Sequence, residues 1–228
     1  MVYEKEHYFL YCKKYRKIVK WSIITANPNI TLEIIQDNPG EKWESRRHIL
    51  RNPNVGWEYI QKNTNENTDW GFVSKNPNIT WEIIQNNPDK NWNIDHISQN
   101  PNITWEIILN NENQKWKWSN VSRNPNITWE IIKNNKYLPW WDWRGITENP
   151  NITWDIIKNN PNEKWDRYTI ISNPNITWEI LQEKIITDAD KDWSMVNPNV
   201  NWEILEKHYD LRFPYTPGNL LSLNPMGK

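Results

Sequence analysis

The chain has 228 residues, 27 Lys+Arg against 28 Asp+Glu, and one cysteine. A formal charge of −1 excludes a generalised polyanion binder that works by charge alone. No run of about 20 apolar residues occurs, so no membrane-spanning helix is expected, and Cys12 by itself cannot close an internal disulfide, which fits a reducing compartment better than secretion. Asn, Ile and Lys are abundant, as AT-rich codons would make them. Drift of that kind does not produce 18 Trp, so the indoles are held for a physical reason.

Residues 1–26 read as an N-terminal helical cap rich in Tyr and Lys, with Lys13, Lys14, Arg16, Lys17 and Lys20 clustered. No apolar signal region is visible there, so an intracellular rather than a secreted chain is expected.

A tandem array follows over 27–207. Asn-Pro-Asn begins at Asn27, Asn52, Asn76, Asn100, Asn124, Asn149, Asn173 and Asn197, in steps of 24 or 25 residues, and a final Asn-Pro begins at Asn224. The copy from Asn76 to Gln99 reads NPNITWEIIQNNPDKNWNIDHISQ. Within it Thr80 is a helix N-cap, Glu82 meets the positive end of the dipole, and Ile79 and Ile84 have the spacing of a hydrophobic staple. Thr31, Thr104, Thr128, Thr153 and Thr177 repeat the arrangement. Asn38, Asn63, Asn87, Asn111, Asn135 and Asn160 occupy the stop position, where Asn tolerates a left-handed C-terminal conformation and a following Pro disfavours helix. A second segment, about Lys90 to Ser98 in this copy, ends against the next Asn-Pro. Two short helices per repeat are therefore predicted. Neither is stable alone, and both depend on stacked neighbours, the logic of a solenoid. The fold class expected is all-α, an α-solenoid of about eight two-helix repeats. A leucine-rich-repeat-like α/β or β solenoid is the alternative, because Asn-Ile-Thr-Trp-Glu-Ile-Ile also alternates apolar and polar and the period suits it. The seventh copy breaks pattern after Trp178 with Ile-Leu-Gln-Glu-Lys-Ile-Ile, which suggests a longer first helix. Residues 208–228 read as an irregular C-terminal cap.

Comparison of the copies separates core from face. The predicted core is three columns: Leu32 and Trp57, Trp81, Trp105, Trp129, Trp154, Trp178 and Trp202, five residues after each first Asn; the following apolar pair, such as Ile83-Ile84; and Ile24, Ile49, Val73, Ile97, Val121, Ile146 and Ile170, three residues before the triplet. On this reading Trp129→Ala opens a core cavity costing about 3–5 kcal/mol. A second Trp column, including Trp70, Trp92, Trp116, Trp118, Trp141, Trp143 and Trp165, wanders between eight and six residues before the triplet. The positions five and four before the triplet vary most. They supply the candidate partner-binding face: Arg47, His48, Phe72, Asp95, His96, Asn120, Arg144 and Tyr168.

The unit resembles Trp-rich tandem repeats of giant, mimivirus-like DNA viruses, best over residues 138–154, LPWWDWRGITENPNITW. The resemblance covers roughly residues 20–205 and implies an origin, in host cytoplasm or a virion, without implying an activity.

Chemistry-bearing motifs are sparse. The Asn-Ile-Thr sequons read as turn and cap residues in a chain that is not secreted. His7, His48, His96 and His208 lack metal-ligand spacing. No phosphate loop, nucleophile elbow or His-Glu-x-x-His occurs, and the carboxylate recurring once per repeat is a dipole partner. The expectation is no catalytic residue, no cofactor, no metal and no enzyme. A non-enzymatic scaffold for an unidentified protein partner is expected. Single-stranded nucleic-acid binding, by aromatic stacking and the N-terminal basic cluster, and self-assembly as a virion component are the alternatives.

Overall fold

The computed structural model describes residues 9–10, 13–14, 24–39, 43, 46–185, 197–199 and 204. Helices are the regular secondary structure among them and no strand occurs, so the chain is all-α over the described residues and the leucine-rich-repeat-like reading is set aside. The helices, in order, are α1 (Leu32–Asp37), α2 (Arg46–Ile49), α3 (Trp57–Asn63), α4 (Trp70–Ser74), α5 (Trp81–Asn86), α6 (Ile94–Ile97), α7 (Trp105–Asn110), α8 (Trp118–Val121), α9 (Trp129–Asn134), α10 (Trp143–Glu148), α11 (Trp154–Asn159), α12 (Arg167–Ser172) and α13 (Trp178–Ile180). The last runs into a π-helical turn, Leu181–Ile185, so the first helix of the seventh copy is longer than its counterparts, as its sequence suggests. The array groups into two compact units, Met1–Lys117 and Trp118–Lys228. Most of the predicted N-terminal cap and all of the predicted C-terminal cap lie outside the described residues, as does Trp202.

The first helix of each repeat forms for the reasons its sequence shows. Thr31, Thr80, Thr104, Thr128, Thr153 and Thr177 are N-caps in extended conformation, and each hydroxyl accepts from the backbone N–H three residues on. The helices end differently from expectation. Asn38, Asn87, Asn111, Asn135 and Asn160 have φ between −121° and −133°, outside the left-handed region. Each stop asparagine instead donates its side-chain amide to the carbonyl four residues back, as Asn87 does to Ile83 at 2.8 Å. That bond satisfies an orphan helix-end carbonyl directly, so no left-handed residue is required. The second helices are shorter than predicted. Asn93 caps α6, and Lys90–Trp92 before it are not helical.

The tie between one repeat and the next also differs from expectation. The first asparagine of the triplet is a buried bridge at Asn52, Asn76, Asn100, Asn149, Asn173 and Asn197, and not only a turn residue. Asn76 Nδ2 donates to the carbonyls of Asn52 (3.2 Å) and Val55 (2.9 Å) in the preceding repeat and of Leu50 (2.8 Å) just ahead of it. Its Oδ1 accepts from the N–H of Asn78 at 2.8 Å, which sets the local turn. Asn52 and Asn100 do the same in the N-terminal unit, and Asn149, Asn173 and Asn197 in the C-terminal one. The third asparagine adds a second rung: Asn102 Nδ2 donates to Pro77 and Ile79 carbonyls. The geometry needs two donors and one acceptor on a short arm. Asp lacks the donors and Ser lacks both reach and number, which accounts for Asn at every copy. A hydroxyl column makes a third tie. Ser74 Oγ donates to Trp70 O and accepts from Asn93 N–H, and Ser98 and Thr147 repeat this toward Lys117 and Asp166.

The apolar core is narrower than predicted. Its most uniform column is the residue after the triplet: Ile30, Val55, Ile79, Ile103, Ile127, Ile152 and Ile176 are fully buried. The sequence pattern gives this position only the role of a staple. The column three before the triplet is buried as predicted through Ile146, with Ile171 taking the place of Ile170 in the last copy. Of the apolar pair in each first helix only the second member is reliably buried. The Trp column is the correction: Trp57, Trp81, Trp105, Trp129 and Trp154 are half-buried, and Trp178 alone among them is buried.

Candidate interaction face

Within each unit, indoles of adjacent repeats are in contact. The wandering Trp column resolves into two. Trp43, Trp92, Trp116, Trp141 and Trp165 each donate their indole N–H to the carbonyl of their own repeat's stop asparagine at 2.8–2.9 Å. Trp70, Trp118 and Trp143 instead open second helices. Each meets an indole of the next repeat edge-on: Trp70 with Trp92 at 5.0 Å, Trp118 with Trp141 at 5.5 Å, and Trp143 with Trp165 at 5.3 Å. The first-helix rings complete the contact, with Trp81 on Trp116 and Trp129 on Trp165, both at 5.5 Å. Offset and edge-on indole pairs of this kind each add about 0.5–1.5 kcal/mol to area burial. The rings therefore pack against the adjacent repeat, most of them keeping one side toward solvent while Trp116 is buried. Lys90 lies over Trp70 and Lys136 over Trp129, at 5.8 and 5.9 Å from the ring centres, so the outward faces attract cations.

The candidate partner-binding residues divide by register. The position five before the triplet is exposed at Asp95, Arg144 and Tyr168, Tyr168 by 61%, and half-buried at Gly71 and Ser119. Arg47 occupies the same register in α2, and its side chain is outside the described set. The position four before the triplet faces the neighbouring second helix. His48 meets the Phe72 ring edge-on at 4.9 Å, and His96 Nδ1 lies 2.9 Å from the Gly71 carbonyl. Asn120 is half-buried, and at the same register Gly145 and Thr169 are buried. At Gly145 an added Cβ would stand 2.7 Å from the Ser119 carbonyl and 2.9 Å from Ser122 Cβ, so only glycine admits the approach of α10 to α8. His48, Phe72, His96 and Asn120 thus vary with the neighbour they pack on, which differs from a free ligand-facing column. Burial holds His96 below the ordinary imidazole value of 6.5, with Lys75 adding to it, against the opposing pulls of the Gly71 carbonyl, Asp95 and Asp69.

Several charges in the C-terminal unit are paired. Arg123 is ion-paired with Glu148 of the next repeat, Arg144 reaches the same carboxylate at 3.9 Å, and Lys136 pairs with Glu163. Among the described residues no group of three or more His, Cys, Asp or Glu side chains could hold one metal ion, and no helix is long and apolar enough to cross a membrane.

The fold and this face define an all-α, tryptophan-rich chain of tandem helical repeats. No family model, curated protein or solved structure matches it.

Proposed function

We propose that the chain is a non-enzymatic α-solenoid acting as a protein–protein interaction scaffold in the host cytoplasm or virion of a giant virus. One observation carries the reading. The buried bridging asparagines do not vary, whereas the position five before the triplet, where it is exposed, changes its chemistry from acid at Asp95 to base at Arg144 to phenol at Tyr168. A surface held by the ladder loses little freedom on binding, so even modest contacts convert to affinity. Alanine substitution of Arg47, Asp95, Arg144 and Tyr168 together is expected to abolish capture of partner proteins by the immobilised full chain without lowering the melting temperature. Capture of an unchanged set of proteins by that variant would overturn the assignment of the face.

The half-exposed indoles favour a second reading, stacking of single-stranded nucleic acid. Its signature is binding that weakens steeply between about 50 and 200 mM salt. Paired charges on the C-terminal unit count against it. Sedimentation at two protein concentrations tests the further alternative of self-assembly.

A further inference from the structure

The fifth repeat carries a departure that its own fold does not need. In four other repeats the bonded indole lies five positions after the stop asparagine. In the fifth it lies six positions after, yet Trp141 still donates to the Asn135 carbonyl at 2.9 Å. The structural bond is kept and the extra residue is extruded. Where Asn111–Trp116 encloses Glu, Asn, Gln and Lys, Asn135–Trp141 encloses Lys, Tyr, Leu, Pro and Trp. Tyr137 is 77% exposed and Trp140 is 52% exposed. Trp140 rests on Trp118 at 5.1 Å and 32°, so its plane is fixed before any partner arrives.

We propose that Tyr137, Pro139 and Trp140 form a docking platform for a proline-rich, extended segment of a partner protein. This rests on the scaffold reading and names the partner's chemistry. Three features select that occupant. First, the platform offers two exposed aromatic faces, that of Trp140 held against Trp118, on which proline rings pack. Second, neither the Tyr137 hydroxyl nor the Trp140 indole N–H has a hydrogen-bond partner among the described residues. A polyproline II segment presents carbonyls that have no internal partner, so donors on the platform match acceptors on the ligand. Third, the cation beside the platform is already engaged: Lys136 is held by Glu163 and lies over Trp129. It is not free for the phosphate backbone that a nucleic acid would bring, which suits an uncharged peptide better.

The test is a titration of the full-length chain with a decaproline peptide, followed by the indole N–H resonances in a proton–nitrogen correlation spectrum. A Gly-Ser decamer and a thymidine oligonucleotide at low salt run in parallel. The Trp140 resonance is expected to shift with millimolar decaproline but not with the Gly-Ser peptide, while those of Trp92 and Trp165, bonded to carbonyls, stay in place. Tyr137→Ala, with an unchanged melting temperature, and Trp140→Ala, with a melting temperature lowered only by the loss of its one indole contact, should each weaken binding about tenfold or more. No decaproline-dependent shift, binding indifferent to both substitutions, or a shift given by the oligonucleotide alone would each overturn the proposal. The scaffold reading is judged separately, by the substitutions at Arg47, Asp95, Arg144 and Tyr168, so either can fail while the other stands.

Discussion

Asn100 shows at the scale of one residue how this array is held. Its amide is buried and donates to the Asn76 carbonyl at 2.9 Å, and its Oδ1 accepts from Asn102 N–H at 2.9 Å. Asn100→Ala strands buried carbonyls on the preceding repeat and should cost about 1–3 kcal/mol. Asn100→Asp should cost more, because a carboxylate would face those carbonyls with no proton to donate. Urea denaturation of both variants orders them, and an alanine variant as stable as the parent would show that the ladder does not hold the array. Trp129→Ala should fall below the 3–5 kcal/mol expected of a fully buried indole, because half of the ring already meets solvent and deletion leaves an open notch more than a cavity. Gly145→Ala drives a methyl into the Ser119 carbonyl and should lower the melting temperature by an amount equivalent to about 1–3 kcal/mol. The triplet's importance is legible at this scale and its role is not. The first asparagine never varies over eight copies, although Asp, Ser or Gly also serve in turns. That invariance is the one local signal of a non-local duty.

Short helices are made or lost at their ends. The first helices of six or seven residues are far below the length at which propensity alone sustains them, so capping and stacking decide. The threonine caps, the acidic residue in the first turn and the stop asparagines are all readable from sequence, because capping acts over three or four residues. The second repeat tests this through its exception. Gly56 caps α3 without a side-chain bond, its φ of −82° suits any residue, and a Cβ added there would meet nothing within 4 Å. Gly56→Ser should therefore stabilise the chain by about 0.5–1 kcal/mol, through a restored cap and a less flexible unfolded state. A thermal melt that moves downward would show that the cap is not limiting. The second helices fall short of the span their sequence pattern predicts. Their N-termini are set by a backbone N–H that donates to the preceding repeat's hydroxyl, as Asn93 does to Ser74 Oγ, which no local pattern announces.

For the molecule as a whole, the repeat is the unit of change. Deletion of residues 76–99 in one piece brings Asn100 onto the carbonyls that Asn76 now uses, so the shortened chain should stay helical and melt cooperatively at a lower temperature. Deletion of half that length misplaces every rung after it and should abolish the transition; circular dichroism melts of the two deletions compare them. Stability should also respond to pH through His96. Its folded value lies below 6.5, so the fold prefers the neutral ring, the unfolded chain takes up the proton first, and the contribution is lost as pH falls below about 6.5. The denaturation midpoint should drop as pH falls below about 6.5, and His96→Phe, the residue found at Phe72, should shrink that drop. An equal drop in the variant would place the pH sensitivity elsewhere.

By itself the sequence determined the period, the helical class, the threonine caps, the buried column before each triplet and the seventh copy's longer helix. All of these follow from interactions within a few residues of chain or from comparing copies. The tertiary structure alone decided which side of each indole faces the neighbour, which variable column packs and which is exposed, and why asparagine is needed twice in every triplet. Those answers depend on atoms about 21 to 27 residues away along the chain, brought within hydrogen-bond distance only once one repeat lies on another.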